Sequence, residues 1–161
     1  DRHRLMPADL GRQAVYAAEI AAFEGTSFEV VTTIEPLIDQ AATIVSEAWW
    51  PRGDVPVVAA RVDAGSSSTR QRGDDRPVVR LARPQMTPAT LIHELAHVLA
   101  GVGLGHGRVF RRAHVDLAGF SFGAVEAAWL IEAYAAMGLP LGERAWPEPP
   151  VRRSAAGPVA L

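Results

Sequence analysis

Residues 93–97 of this chain have the sequence His-Glu-Leu-Ala-His, and this stretch constrains the fold more than any other. At about 100° per residue, an α-helix places His93 and His97 roughly 40° apart and Glu94 about 60° beyond His97. The opposite side of this helix carries only apolar side chains, namely Leu91, Ile92, Leu95, Val98 and Leu99. Because buried ionisable groups need partners, a core helix with this stripe calls for a bound metal ion.

The residues around this motif predict where its helix begins and ends. Thr87 suits the N-cap and Pro88 the first helical position, whereas Gly101 can end the helix in a left-handed conformation. The competing interpretation is a surface helix, which requires the His-Glu-His stripe to face water.

The H-E-x-x-H spacing is typical of zinc hydrolases, in which the Glu is the general base. A catalytic zinc takes three protein ligands and one open position for water, so a third ligand must come from elsewhere in the chain. The metzincin pattern fails here, because it needs Gly and His where the chain has Ala100 and Gly103.

Three residues are candidates for the third ligand. His106 is favoured, because Gly105 and Gly107 permit a close approach and a new amphipathic helix follows. His114 and Glu126, each expected on a helix, are the alternatives.

H-E-L-A-H followed by H-G-x-x-F at 106–110 resembles the SprT-like, or minimal zincin, metallopeptidases. The resemblance implies His93, His97 and His106 as ligands of one Zn²⁺ per chain, with Glu94 as the catalytic carboxylate. Residues 12–19 also resemble the start of a small actinobacterial metallohydrolase family with the same motif. SprT-like proteins that act on DNA–protein crosslinks commonly add a Cys-rich zinc ribbon, whereas this chain has no Cys, which argues against a DNA-linked role.

Composition limits the class of protein. A length of 161 residues suits one domain with a sizeable core, and a net charge of −2 gives no general attraction to nucleic acid. No apolar run is long enough for a membrane span and no signal-like core is seen, so we expect a cytoplasmic protein. The sequence leaves the oligomeric state open.

All 16 basic residues are Arg, and six of them fall between residues 61 and 83. They are Arg61, Arg70, Arg72, Arg76, Arg80 and Arg83, and they exceed Asp63, Asp74 and Asp75 by three. A basic surface near the site would favour nucleic acid as a partner. A solvated hairpin is the simpler interpretation, because no aromatic residues alternate with the arginines as stacking platforms would.

Periodicity and turn residues predict an α+β, zincin-like fold with a small mixed sheet packed against helices. Besides the motif helix, we expect helices at 8–24, 35–49, 107–119 and 122–137 and strands at 27–33, 55–62 and 78–81, with turns at 65–68 and 73–75. Residues 1–137 form the predicted domain. Residues 138–161, with five Pro, form an irregular tail that Trp146 anchors and that is otherwise mobile.

These patterns predict a zinc-dependent metallohydrolase, specifically a metallopeptidase that hydrolyses peptide bonds with a zinc-activated water and Glu94 as general base. The alternatives are a protease acting on DNA-bound proteins and a catalytically silent, zinc-stabilised interaction module. Strand 78–81 is expected at the sheet edge beside the cleft, where Arg76, Arg80 and Arg83 would favour acidic peptides.

Several other residues are candidates for supporting roles. Asp116, Glu126 and Glu132 are candidates to orient ligand imidazoles. Trp49, Trp50 and Trp129 are expected at the core or its boundary, and Arg111 and Tyr134 are weaker candidates for oxyanion stabilisation, outside the catalytic set.

Overall fold

The computed structural model describes residues 7–154, with side chains from residue 11 onward. This part of the chain has an α+β fold of five helices and a three-stranded mixed sheet. The helices are α1 (Pro7–Phe23), α2 (Ile34–Val45), α3 (Pro88–Ala100), α4 (Arg108–Ser121) and α5 (Ala124–Ala136). The strands are β1 (Val57–Ala59), β2 (Ser68–Arg70) and β3 (Val78–Leu81), and 3-10 turns cover Ser27–Glu29 and Arg83–Gln85. None of the helices within 7–154 has the length and apolar character to cross a bilayer.

Helix α3 occupies the centre of the fold, and its ends match the prediction. The Thr87 side chain accepts a hydrogen bond from the Thr90 backbone N–H, and Pro88 takes the first helical position. Gly101 follows with φ 121° and ψ 120°, which is a positive φ as expected but lies outside the left-handed helical region. The apolar side of α3 is fully buried, including Leu91, Ile92, Leu95 and Leu99.

The sheet has the order β1-β3-β2. Strand β1 runs parallel to β3, with Val57 opposite Val79, and β2 runs antiparallel to β3, with Thr69 opposite Val79. The prediction that residues 78–81 form the sheet edge is therefore wrong, because β3 pairs on both sides. The edge strand nearest the motif helix is β2.

The predicted strand at 27–33 is wrong. Residues Ser27–Glu29 form a 3-10 turn, and Val30 and Val31 are 60% and 54% exposed. The β-branched run favours extended backbone, but the segment has no strand to pair with and is tied mainly by the Thr32 N–H to the Met86 carbonyl. Predicted strand 55–62 is shortened to Val57–Ala59.

Strand β2 lies partly in the stretch 65–68 that was predicted as a turn. Ser68, Thr69 and Arg70 lack apolar alternation, so their sequence carries no strand signal. Polar contacts fix this region instead: the Ala82 N–H donates to Ser67 Oγ, and the Ser67 N–H donates to Gln85 Oε1.

The segment after α5 has no helix or strand up to residue 154, as predicted, and it packs along α4. Trp146 is buried and donates to Asp116, which also binds the Arg144 guanidinium through both carboxylate oxygens. Further on, the Arg152 N–H donates to the Gly119 carbonyl. Trp49 and Trp50 are buried as predicted, whereas Trp129 is 37% exposed on the outer side of α5.

Candidate metal centre

His93 and His97 of α3 and His106 of the following loop converge at one point. Their ligand nitrogens all lie within 4.8 Å of one another, and His93 Nε2 is 3.2 Å from His106 Nε2. Two imidazoles bound tetrahedrally to one zinc at about 2.0–2.1 Å place their nitrogens roughly 3.3 Å apart. The three side chains could therefore hold a metal ion, and the separation of the His93 and His106 nitrogens is close to this value.

A glycine-rich turn brings His106 to this point. Gly101, Gly103 and Gly105 have φ values of 121°, 92° and 67°. Residues other than glycine adopt such backbone angles only with strain. The Arg111 guanidinium then fixes the turn by donating to the His106 carbonyl at 2.9 Å and to the Pro140 carbonyl at 2.8 Å. Arg111 is thus committed to holding the backbone of the ligand loop and does not face the pocket as an oxyanion donor.

His97 and His106 are suited to bind a cation because they stay neutral. Burial lowers both pKa values, and the positive charge of His93 lowers them further, to about 3 for His97 and about 4 for His106. At neutral pH each imidazole therefore keeps a lone pair free for a metal.

Glu94 lies beside the three imidazoles and borders the same pocket. Its Oε2 accepts a hydrogen bond from Thr69 Oγ1 of β2 at 2.7 Å. Burial raises the pKa of Glu94, while His93 and the Thr69 hydrogen bond partly offset the shift. A carboxylate whose pKa is shifted upward is a better proton acceptor than an ordinary one.

Glu19 of α1 orients His93 and was not predicted as a site residue. Its Oε1 lies 2.5 Å from His93 Nδ1, so that nitrogen carries the proton and Nε2 faces His97 and His106. Burial acts to raise the pKa of Glu19, but the contacts with His93 and His114 outweigh it and lower the value to about 2. Burial likewise acts to lower the pKa of His93, yet the charge and hydrogen bond of Glu19 raise it overall.

The sequence does contain a signal for Glu19. Val15, Ala18 and Ala22 lie on the buried face of α1, and Glu19 falls on that same face, four residues after Val15. A carboxylate among buried apolar positions needs a partner in the core, which here is an imidazole. The three carboxylates that were expected to orient a ligand imidazole do not contact one. Asp116 binds Arg144, Glu126 accepts a hydrogen bond from Ser154 Oγ, and Glu132 is exposed.

His114 and Tyr134 extend the buried contacts away from the pocket. His114 Nδ1 lies 2.5 Å from the Tyr134 hydroxyl, and both residues are fully buried. His114 Nε2 is 3.1 Å from Glu19 Oε1 but lacks hydrogen-bond geometry. Burial lowers the pKa of His114 and raises that of Tyr134 well above its usual value, so both groups are neutral.

Among the described residues, Glu19, His93 and His114 form a second group that could hold a metal ion. The two groups share His93, which offers Nε2 to one and Nδ1 to the other. Only the first opens onto a pocket, of about 480 Å³, lined by Arg12, Tyr16, Ser67, Ser68, Thr69, Glu94, His97, Val102, Gly103, Gly105 and His106. The His93, His97 and His106 group is therefore the one that an external molecule can reach. Glu126, the other alternative ligand, is bonded to Ser154 and belongs to neither group.

The arginines between residues 61 and 83 lie outside this pocket. Arg61 pairs with Asp63 at 3.3 Å and Arg76 with Asp54 at 3.6 Å, and all four side chains are largely exposed. Arg76, Arg80 and Arg83 do not line the cavity, so their position gives no support to the expected preference for acidic peptides.

The chain was compared with protein-family models, with curated proteins and with solved structures, and none of the three comparisons found a match. The similarity to SprT-like metallopeptidases thus rests on the two short motifs at 93–97 and 106–110.

Proposed function

We propose that this protein is a zinc-dependent metallopeptidase with a zincin-like active site. The observation that carries the proposal is the convergence of three imidazoles on an open pocket with Glu94 at its wall. Three imidazole ligands with one side open match a catalytic zinc site, whereas structural zinc sites are closed by a fourth protein ligand.

His93, His97 and His106 would hold the metal, and Glu94 is left free of that role. A bound zinc ion would polarise the scissile carbonyl and lower the pKa of a water molecule to about 7. Glu94 takes the proton of the attacking water and delivers it to the leaving amine. Thr69 keeps the carboxylate in place through its hydrogen bond to Oε2.

Strand β2 supplies a surface for an extended peptide. It is paired with β3 on one side only, and three residues of the Ser67–Thr69 stretch line the pocket. A peptide that added to this edge as a further strand would bring its backbone beside Glu94, which Thr69 of the same strand contacts. Unpaired edge strands commonly bind chains in this way.

The replacement Glu94→Gln tests the mechanism directly. Gln keeps the size and hydrogen-bonding reach of Glu but cannot accept the proton, so hydrolysis should slow roughly 10²- to 10⁴-fold. Cleavage of a peptide library and zinc content are measured on the same preparations, with zinc added in excess. Glu132→Gln, an exposed carboxylate outside the pocket, is the matched control and should retain the parent rate.

Equal peptidase activity in the parent and in Glu94→Gln would refute this role of Glu94. Full zinc binding without cleavage of any peptide by the parent would refute the peptidase assignment and favour a metal-stabilised interaction module.

A further inference from the structure

Helix α1 supplies one wall of the metal pocket through Arg12 and Tyr16. The Tyr16 ring stacks on His93 with a centroid distance of 5.2 Å and an interplanar angle of 9°. It also lies 6.0 Å from the ring of His106. Tyr16 therefore covers two of the candidate ligands on one side while its other atoms border the cavity.

The Arg12 guanidinium lies against this aromatic ring. Its Cζ is 5.6 Å from the Tyr16 centroid, within the range of a cation–π contact. A cation–π contact involves the charge of the guanidinium and uses none of its N–H hydrogens in a hydrogen bond, so these donors can still bind an anion. Arg12 is exposed, and within the described side chains it forms no ion pair.

Among the residues whose side chains the structure describes, 11–154, Arg12 is the only permanently charged cation that lines the pocket. Two arginines that follow the ligand loop are already bound: Arg111 and Arg112 donate to backbone carbonyls of residues 106, 140 and 142. Glu94, the one carboxylate lining the cavity, is held by Thr69. No side chain within residues 11–154 occupies the donors of Arg12, so they can bind an anion that enters from solvent.

We propose that Arg12, held on the Tyr16 ring, binds a carboxylate of the substrate, so that the pocket selects peptides with a carboxylate near the scissile bond. Guanidinium groups bind carboxylates through two parallel hydrogen bonds, which fixes the orientation of the bound chain as well as its charge. A pocket of about 480 Å³ holds a short piece of peptide. The carboxylate comes either from a free C-terminus or from an Asp or Glu side chain. This inference rests on the proposed function, because it concerns the substrate of the same site.

Binding to the zinc-loaded Glu94→Gln protein tests the inference without turnover. Four hexapeptides of Ala, Gly and Val, each labelled on its N-terminal amine with an uncharged BODIPY dye, share one sequence. They differ only in a free or amidated C-terminus and in Asp or Asn at the third position. Fluorescence anisotropy should show at least about tenfold tighter binding for a peptide with one carboxylate than for the neutral peptide. Tighter binding of the amidated Asp peptide would identify a side-chain carboxylate as the ligand, and tighter binding of the Asn peptide with a free C-terminus would identify the terminal carboxylate.

Variants of Arg12 show whether this residue causes the preference. Arg12→Gln should abolish the difference between charged and neutral peptides and leave zinc content unchanged, and Arg12→Lys should retain part of it. Arg61→Gln is the matched control, because Arg61 is exposed and follows β1, the strand at the far edge of the sheet from β2. Equal binding of all four peptides, no binding of any, or a preference that survives Arg12→Gln would overturn the inference.

The same peptides given to the parent enzyme separate this inference from the proposed function. Arg12-dependent binding without any cleavage would leave the carboxylate site standing and refute the peptidase. Cleavage at equal rates with and without a carboxylate would support the peptidase and refute the role of Arg12.

Discussion

The contact between Glu19 and His93 decides which nitrogen of His93 is free. With the proton on Nδ1, beside the carboxylate, Nε2 is directed to His97 and His106. A carboxylate in this position both orients the imidazole and makes it a stronger donor to a metal. The ligand geometry at the pocket thus depends on a residue of α1 that does not itself face the three-imidazole group.

Replacing Glu19 by Gln should weaken zinc binding about 10- to 100-fold, because the amide neither fixes the proton on Nδ1 nor supplies charge. Competition with a chromogenic chelator measures the affinity. Glu24→Gln, an exposed residue just beyond the end of the same helix, should bind zinc as the parent does. Parent-like affinity in Glu19→Gln would contradict the orienting role.

The ligand set itself is tested by removing one imidazole at a time. His93→Ala, His97→Ala and His106→Ala should each lose most of the one zinc expected per chain, because an open site has no spare ligand. Metal content after dialysis measures this. Glu126→Gln should keep its zinc, since Glu126 lies in neither metal-binding group. Loss of zinc in Glu126→Gln together with full zinc content in His106→Ala would show that the third ligand is misassigned.

At the residue scale, the sequence predicted the three converging imidazoles and the neighbouring Glu94, because local spacing on one helix and a glycine-rich turn determine them. It did not predict Glu19 or Tyr16, which reach the site from a helix more than 70 residues earlier in the chain. The apolar face of α1 marks Glu19 as buried. Its partner depends on where the fold places α1, which packs mainly against α5, and no local pattern specifies that packing.

At the scale of elements, all five helices were predicted, and Thr87 and Pro88 mark the start of α3. Predicted helix 35–49 is too long, because α2 ends at Val45. Strands were predicted poorly. The polar strand β2 exists because β3 and Gln85 offer hydrogen bonds to it, whereas Val30 and Val31 have a strong preference for strands and no partner. Whether a short segment forms a strand therefore depends more on pairing with a distant segment than on the β-propensity of its own residues.

The segment after α5 gives a prediction at this scale. Gly123 joins α4 to α5 with φ 138°, and a Cβ added there would lie 2.4 Å from Cα of Ser154. Gly123→Ala should lower the free energy of unfolding by about 1–3 kcal/mol because of the backbone strain. Displacement of residues 150–154 by the added Cβ should lower it further. Chemical denaturation measures the loss.

Gly138→Ala is the matched control for Gly123→Ala. Gly138 also has a positive φ, of 67°, but a Cβ there meets nothing within 4 Å. It should therefore lose only the strain energy, about 1–2 kcal/mol. Equal losses in the two variants would mean that contact with Ser154 contributes nothing to stability.

At the scale of the whole molecule, the site makes the metal-free protein sensitive to acid. The pKa values of His97 and His106 are lowered on folding to about 3 and about 4, so below pH 6.5 the unfolded chain binds more protons than the folded one. Stability therefore falls as the pH decreases from about 6.5 toward 4. Glu19, with its pKa lowered to about 2, adds a further loss below about pH 4.5. The raised pKa of His93 acts in the opposite sense, and its contribution is lost as the pH rises above 6.5.

Denaturation of the metal-free protein at pH 7, 6, 5 and 4 should show this decline. The double variant His97→Gln, His106→Gln removes both groups and should give a flatter dependence between pH 6.5 and 4. Identical slopes for the parent and the double variant would show that these imidazoles are not shifted by folding.

The two nitrogens of His93 have a consequence for protein engineering. One faces the pocket, and the other is bound to Glu19, which in turn contacts His114 and, through it, Tyr134 of α5. Three helices besides α3 therefore contribute to the donor strength of a single imidazole. Transplanting the segment from Thr87 to Phe110 onto another scaffold would carry over every predicted ligand and still leave His93 free to rotate and to exchange tautomers. Such a graft should bind zinc weakly until the new host supplies a buried carboxylate in the place of Glu19.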